Sequence, residues 1–148
     1  MNSMNDNEID QIFKNLQHYM MGESSEPYSD KVMTYAYDPV NVGEINNPDG
    51  KGRVKGDCGD SIIIYIKLKE DKISKACFLV DGCGASVASG CAVTELAQGK
   101  TPYEASKITP QEVIRFLDGM PASHVHCAVM AVQALQKTLD HLKTHINK

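Results

Sequence analysis

The sequence predicts an α+β fold. Two β-rich runs separated by a tight turn read as a hairpin, and several other segments carry the three-and-four spacing of amphipathic helices. At 148 residues the chain is long enough for one domain with a sizeable core.

Over residues 7–21, Ile9, Ile12, Phe13, Leu16, Tyr19 and Met20 share one helical face, and the stretch Gly22–Pro27 breaks the pattern. A short helix is expected over Ser29–Tyr37. It stops at Asp38-Pro39 because a residue before proline is pushed out of the helical region. Residues 39–52 are rich in Pro, Gly, Asn and Asp and read as a loop with room for a short strand. Ser61–Leu68 is β-rich, Lys69–Asp71 turns the chain, and Ile73–Val80 returns. Cys58 therefore enters the hairpin and Cys83 leaves it, at the same end of the sheet. Ala85–Ala97 reads as a helix stopping at Gly99. Thr101-Pro-Tyr-Glu104 and Thr109-Pro-Gln-Glu112 are capping boxes, each with Thr at the cap, Pro in the first helical position and Glu three residues on. Asp118–Pro121 ends the second of these helices. In the last segment Val125, Val129, Val132, Leu135, Leu139, Leu142 and Ile146 form an apolar stripe, with Cys127 in the first turn, off the stripe and expected to face away from the core.

A net charge of −4 argues against nucleic acid as a main partner. No run approaches the ~20 apolar residues needed to span a membrane, and the polar, acidic N-terminus is not a secretory signal. The odd cysteine count fits a cytoplasmic protein with thiol chemistry better than a disulfide framework.

Three of the cysteines stand out. Cys58 lies in Gly-Asp-Cys-Gly-Asp, Cys83 in Gly-Cys-Gly, and Cys127 follows His-Val-His. They are too far apart in sequence for a local zinc knuckle, so only a fold can bring them together. Glycine beside a cysteine removes side-chain bulk and lets main-chain N–H groups approach whatever the sulfur holds. Cys83 and Cys127 both lie at expected helix N-termini, where the helix dipole favours thiolate, the form that binds metal or accepts sulfur. Asp60, two residues after Cys58 in extended backbone, would share its face and offers a carboxylate ligand. His126 adjoins Cys127 as a further candidate ligand, with His124 and then Asp57 ranked behind it. Cys77, mid-strand, and Cys91, about 12 Å along its helix from Cys83, read as packing residues.

These stretches resemble the IscU / NifU N-terminal family of iron–sulfur cluster assembly scaffolds. The matching pieces are Tyr28-Ser-Asp-Lys-Val32, Asp38-Pro-Val-Asn-Val-Gly43, Cys58-Gly-Asp60, Asp81-Gly-Cys-Gly-Ala-Ser-Val-Ala-Ser89, Val93-Thr-Glu95 and His126-Cys127, in the family's order. The resemblance implies a three-stranded antiparallel sheet with helices on one face and a long C-terminal helix. It implies a scaffold domain over residues 28–148; the N-terminal extension (1–27), with the extra amphipathic helix read from its periodicity, precedes the family's usual start. The resemblance further implies a [2Fe–2S] cluster assembled transiently on Cys58, Cys83 and Cys127 from ferrous iron (Fe2+). Asp60 would keep the cluster releasable and His126 would be an alternative ligand. Sulfur would come from a cysteine desulfurase, with Cys127 as persulfide acceptor, and the cluster would pass to apo iron–sulfur recipient proteins. Zn2+ is also held at this site in the family.

The chain departs from the family pattern in several places. A segment usually reading Leu-Pro-Pro-Val-Lys, recognised by a chaperone, is here Met120-Pro-Ala-Ser-His124, and an Arg is replaced in Asp38-Pro-Val-Asn41. On a sheet face that the family keeps polar, this chain has Ile63, Tyr65, Cys77 and Leu79. The N-terminal helix is expected to cover that face, or the face to form a homodimer in place of a monomer. Two other functions fit the same residues. One is a zinc-bound sulfur acceptor that stimulates a desulfurase. The other is a thiol hydrolase with Cys127 as nucleophile, which is disfavoured because adjacent helical residues such as His126 diverge by about 100°.

Overall fold

The computed structural model describes residues 28–56 and 59–146, together with residue 9. The expected N-terminal helix, and with it the expected cover over the sheet, lies outside the described residues. So do Asp57 and Cys58.

The described elements run α1 (Asp30–Tyr37), β1 (Gly50–Lys55), β2 (Ser61–Lys69), β3 (Lys72–Asp81), α2 (Gly84–Ala97), α3 (Pro102–Ala105), α4 (Pro110–Phe116), a 3-10 turn (Ala122–His124) and α5 (Val125–Ile146). The strands form one antiparallel sheet in the order β1-β2-β3. Glu70 and Asp71, both with positive φ, make the tight turn between β2 and β3, as a two-residue hairpin requires.

Strand alternation divides the sheet into two faces. Ile62, Ile64 and Ile66 pair with Val80, Phe78 and Ala76 on the inner face, where the three isoleucines and Phe78 are fully buried. Helices α2 and α5 pack over that face. On the outer face Ile63 pairs with Leu79 and Tyr65 with Cys77; Tyr65 and Cys77 are buried, Ile63 and Leu79 half-buried.

Strand β1 falls at the end of the stretch that reads as a loop. Gly50 and Gly52 weaken its local strand signal, and they are also what lets α5 lie against it. A Cβ at Gly52 would come within 2.6 Å of Thr138 N, and one at Gly50 within 2.9 Å of Thr138 O. Helix α2 is likewise built for close approach. Ala85, Ser86, Ala88, Ser89, Gly90 and Ala92 are all buried, and a Cβ at Gly90 would lie 2.4 Å from the Phe78 ring.

The helix ends follow local chemistry. Ser29 caps α1 by accepting Val32 N–H, and its hydroxyl donates to Leu117 O at the end of α4. Thr101 and Glu104 exchange both capping-box bonds, and Thr109 Oγ1 accepts Glu112 N–H. Asp118 and Gly119 close α4 with bonds to Arg115 O and Ile114 O, the left-handed cap that needs their positive φ.

Two segments finish the sheet edges. Phe78 N–H donates to Asn41 O and Gly43 N–H to Phe78 O, a short parallel bridge along β3. At the other edge Lys51 N–H donates to His141 Nδ1 of α5. Cys91 packs in the core and also anchors the bridging segment, since its sulfur accepts Val40 N–H and donates to Val40 O.

Candidate metal centre

The site forms where β3 runs into α2 and the 3-10 turn runs into α5. Cys83 caps α2 in extended backbone, so its sulfur stands at the helix N-terminus. Cys127, in the first turn of α5, is fully buried, contrary to the expectation that it faces away from the core. The reason is that α5 is covered on more than one side, by the sheet and by α2 and α4. Its buried surface includes the small residues Ala128, Ala131 and Ala134 beside the large apolar stripe. Cys127 belongs to that second, small-residue side.

The two sulfurs are 3.9 Å apart. Two thiolates on one tetrahedral ion, each with a bond of about 2.3 Å, stand about 3.8 Å apart, so the pair is spaced to hold a single ion. One nitrogen of His124 completes a group in which every ligand atom lies within 4.8 Å of the others. Both ring nitrogens of His124 are shut off from solvent and have no hydrogen-bond partner among the described residues. A buried polar group without a partner costs about 1–3 kcal/mol, which a bound cation would offset. His126 is exposed, with Nε2 at 3.6 Å from Cys127 Sγ, and is not part of that group.

Asp60 reaches the site through Ser86, a residue that no motif in the sequence singles out for chemistry. Ser86 Oγ donates to Asp60 Oδ2 at 2.7 Å and lies 3.4 Å from Cys127 Sγ and 3.6 Å from Cys83 Sγ. Its single proton is shared among a carboxylate and two sulfurs, the carboxylate being nearest. The glycine at 82 makes room for this: a Cβ there would sit 2.7 Å from the Asp60 carboxyl carbon. The spacing Cys83–Ser86, three residues on one helical face, is the signal that could have found the serine.

The two thiols are electrostatically unequal. The hydrogen bond from the Cys127 thiol is the largest influence on Cys83. Burial opposes it, and the Ser86 hydroxyl and the N–H groups of Ser86 and Ala85 assist it. The net effect lowers the Cys83 pKa from 9.0 to about 5. Cys127 moves the opposite way, because its thiol donates a hydrogen bond to the Cys83 sulfur and is itself buried. The two titrate as a pair: one proton leaves readily and the second is held. Tyr28 packs its ring edge-on against His124 at 5.6 Å, and its hydroxyl is also pushed up, by burial first and then by the neighbouring sulfurs.

No helix among the described residues is long and apolar enough to cross a membrane. The sequence family described as NifU-like N terminal domain matches residues 27–148. Iron-sulfur cluster assembly scaffold protein IscU 1 of Archaeoglobus fulgidus is 42% identical over 113 residues, covering 76% of this chain and 74% of that protein. The IscU scaffold protein of Buchnera aphidicola subsp. Schizaphis graminum is 36% identical over 126 residues, 82% of this chain and 98% of its own length. Both are named as scaffold proteins rather than enzymes. Among solved structures, a NifU-like N-terminal chain from Brucella abortus shares the fold with a TM-score of 0.62 at 13% identity, covering 78% of this chain and 93% of that one. The α+β architecture, the paired cysteines and the sequence similarity over most of the chain lead to one conclusion: this chain belongs to the IscU / NifU-like N-terminal domain family.

Proposed function

We propose that this protein is a scaffold on which a [2Fe–2S] cluster is assembled and from which it is handed to apo recipient proteins. The observation that carries the reading is the 3.9 Å separation of the Cys83 and Cys127 sulfurs, with a carboxylate and an imidazole beside them. Cys58, which falls between β1 and β2 in the sequence, is the third thiolate of the proposal. Ferrous iron and sulfide are cargo here. Thiolates bind the iron, and a site that includes an oxygen or nitrogen donor holds it less tightly than four thiolates would. That suits release to a recipient.

Sulfur arrives as persulfide from a cysteine desulfurase. An acceptor thiolate attacks the outer sulfur, a new S–S bond forms, and the desulfurase cysteine leaves as thiolate. Two electrons per sulfur, supplied by an external thiol or one-electron reductant together with the ferrous iron, then break that S–S bond, release sulfide and regenerate the thiolate. The family resemblance implies Cys127 as the acceptor. Its sulfur is buried and keeps its proton, whereas Cys83 is half-buried and held as thiolate. The geometry therefore favours Cys83 as the first nucleophile, with Cys127 next in line.

Anaerobic reconstitution with ferrous iron, cysteine, a desulfurase and a thiol reductant tests the scaffold reading. Charge-transfer bands with near-equal iron and sulfide, lost in Cys58→Ala and more persistent in Asp60→Ala, are expected. A colourless protein that resists iron while holding about one zinc would support the second reading, a zinc-bound sulfur acceptor. The tetrahedral spacing of the two sulfurs favours that alternative too. Peptide mass spectrometry after one turnover locates the persulfide; its appearance only on Cys127 would remove Cys83 from the pathway.

A further inference from the structure

We propose that His124 is the imidazole ligand of the metal site, taking the position that sequence adjacency would give to His126. The proposal rests on the functional reading above and deepens it.

Three observations converge on His124. It closes the 3-10 turn, with its N–H donating to Pro121 O, and so sits three residues before Cys127, the spacing that puts two side chains on one side of a helical turn. Its ring lies against the Tyr28 edge on one side and 6.0 Å from the His126 ring on another, so its orientation is fixed by packing. Both of its nitrogens are closed to solvent and unpartnered among the described residues, and one is within 4.8 Å of both sulfurs.

The competing donors are placed differently. Asp60 accepts a 2.7 Å bond from Ser86, and His126 is exposed and near only one of the sulfurs. A site of two thiolates and one imidazole selects a borderline-soft cation such as zinc or ferrous iron over magnesium or calcium. His124 thereby leaves Asp60 outside the first set of bonds, free to enter when a ligand is exchanged.

The test uses the full chain, reduced and anaerobic, loaded with zinc or with cobalt(II). Wild type is compared with His124→Phe, which keeps the ring contact with Tyr28, with His126→Phe and with Asp60→Asn. The readouts are zinc affinity by chelator competition and the imidazole contribution in X-ray absorption. His124→Phe is expected to lose the imidazole signal and at least ~100-fold in affinity, beyond the ~10–100-fold that an outer partner costs. His126→Phe and Asp60→Asn are expected to keep the signal and to lose less than ~100-fold in affinity. Retention of the imidazole signal in His124→Phe, with loss in His126→Phe, overturns the proposal. If circular dichroism shows that His124→Phe is unfolded, His124→Gln gives the same two readouts and decides. A wild type that binds neither zinc nor ferrous iron overturns the functional reading itself, and this proposal with it.

Discussion

Replacing Cys127 with alanine should change the pH profile of Cys83 rather than simply its rate. The Cys127 thiol is the largest cause of the low Cys83 pKa, so Cys127→Ala should return Cys83 from about 5 toward its ordinary 9.0. At pH 7 a thiol titrating near 5 is ~99% ionised and one near 9 only ~1%, a ~100-fold difference in thiolate. Intrinsic nucleophilicity works against this. With a Brønsted slope of about 0.4–0.5, four units of lowered basicity slow each thiolate by ~40–100-fold. The two effects nearly cancel at neutrality, so a single rate at pH 7 is uninformative. At pH 6 the wild type should alkylate at Cys83 ~10-fold faster than the variant, and near pH 8.5 the variant should lead by a similar factor. The two profiles therefore cross near neutral pH. Iodoacetamide labelling from pH 5 to 9, read on the Cys83 peptide by mass spectrometry, measures this without interference from the other cysteines. A wild-type rate that climbs tenfold per pH unit between 6 and 8, or superimposable profiles, would refute the thiolate assignment. Stability has a matching sign. A lowered folded-state pKa stabilises above the unfolded value near 9, and that contribution fades as pH falls through about 5.

Ser86→Ala should move the Cys83 profile in the same direction as Cys127→Ala but less far, since the serine is a smaller influence; a larger shift than in Cys127→Ala would reverse that ranking. Gly52→Ala should cost about 1–3 kcal/mol, because the new methyl meets the main chain of α5 at 2.6 Å and neither strand nor helix can move aside cheaply. Its urea midpoint should fall with the slope unchanged, and an unaltered midpoint would show that α5 is not held at this distance. Cys91, raised to about 11 chiefly by burial, should resist alkylation in the folded protein up to pH 9. The stability tied to its neutral thiol is present below about 9 and is lost as pH rises toward 11, visible as a fall in melting temperature over that window.

What can be read from sequence is what is decided locally. The capping threonines and the hairpin turn depend on a few neighbouring residues, and both stand where their chemistry puts them. Strand β1 is obscured because Gly50 and Gly52 are poor strand formers taken alone; their value appears only once α5 lies across them. The orientation of Cys127 is hidden for a related reason. A stripe drawn through Val and Leu overlooks the side of α5 lined by Ala128, Ala131 and Ala134, which is buried by close approach rather than by bulk. His124 ranks behind His126 in sequence because adjacency is conspicuous there, while a helical turn separates neighbours and aligns residues three apart. The spacing of Ser86 from Cys83 is legible in sequence, but its links to the Asp60 carboxylate and to the Cys127 sulfur need the third dimension.

The finished edges of the sheet limit how this protein can meet others. Along β3, Asn41 and Gly43 already take the hydrogen bonds that an incoming peptide would seek, and along β1 the Lys51 amide is given to His141, with Arg53 and Lys55 exposed beside it. A partner that recruits by adding its own strand finds no ready template at these positions, and stacked copies would bring like charges together. At those positions, recognition is left to side chains and to the loops at the cysteine end.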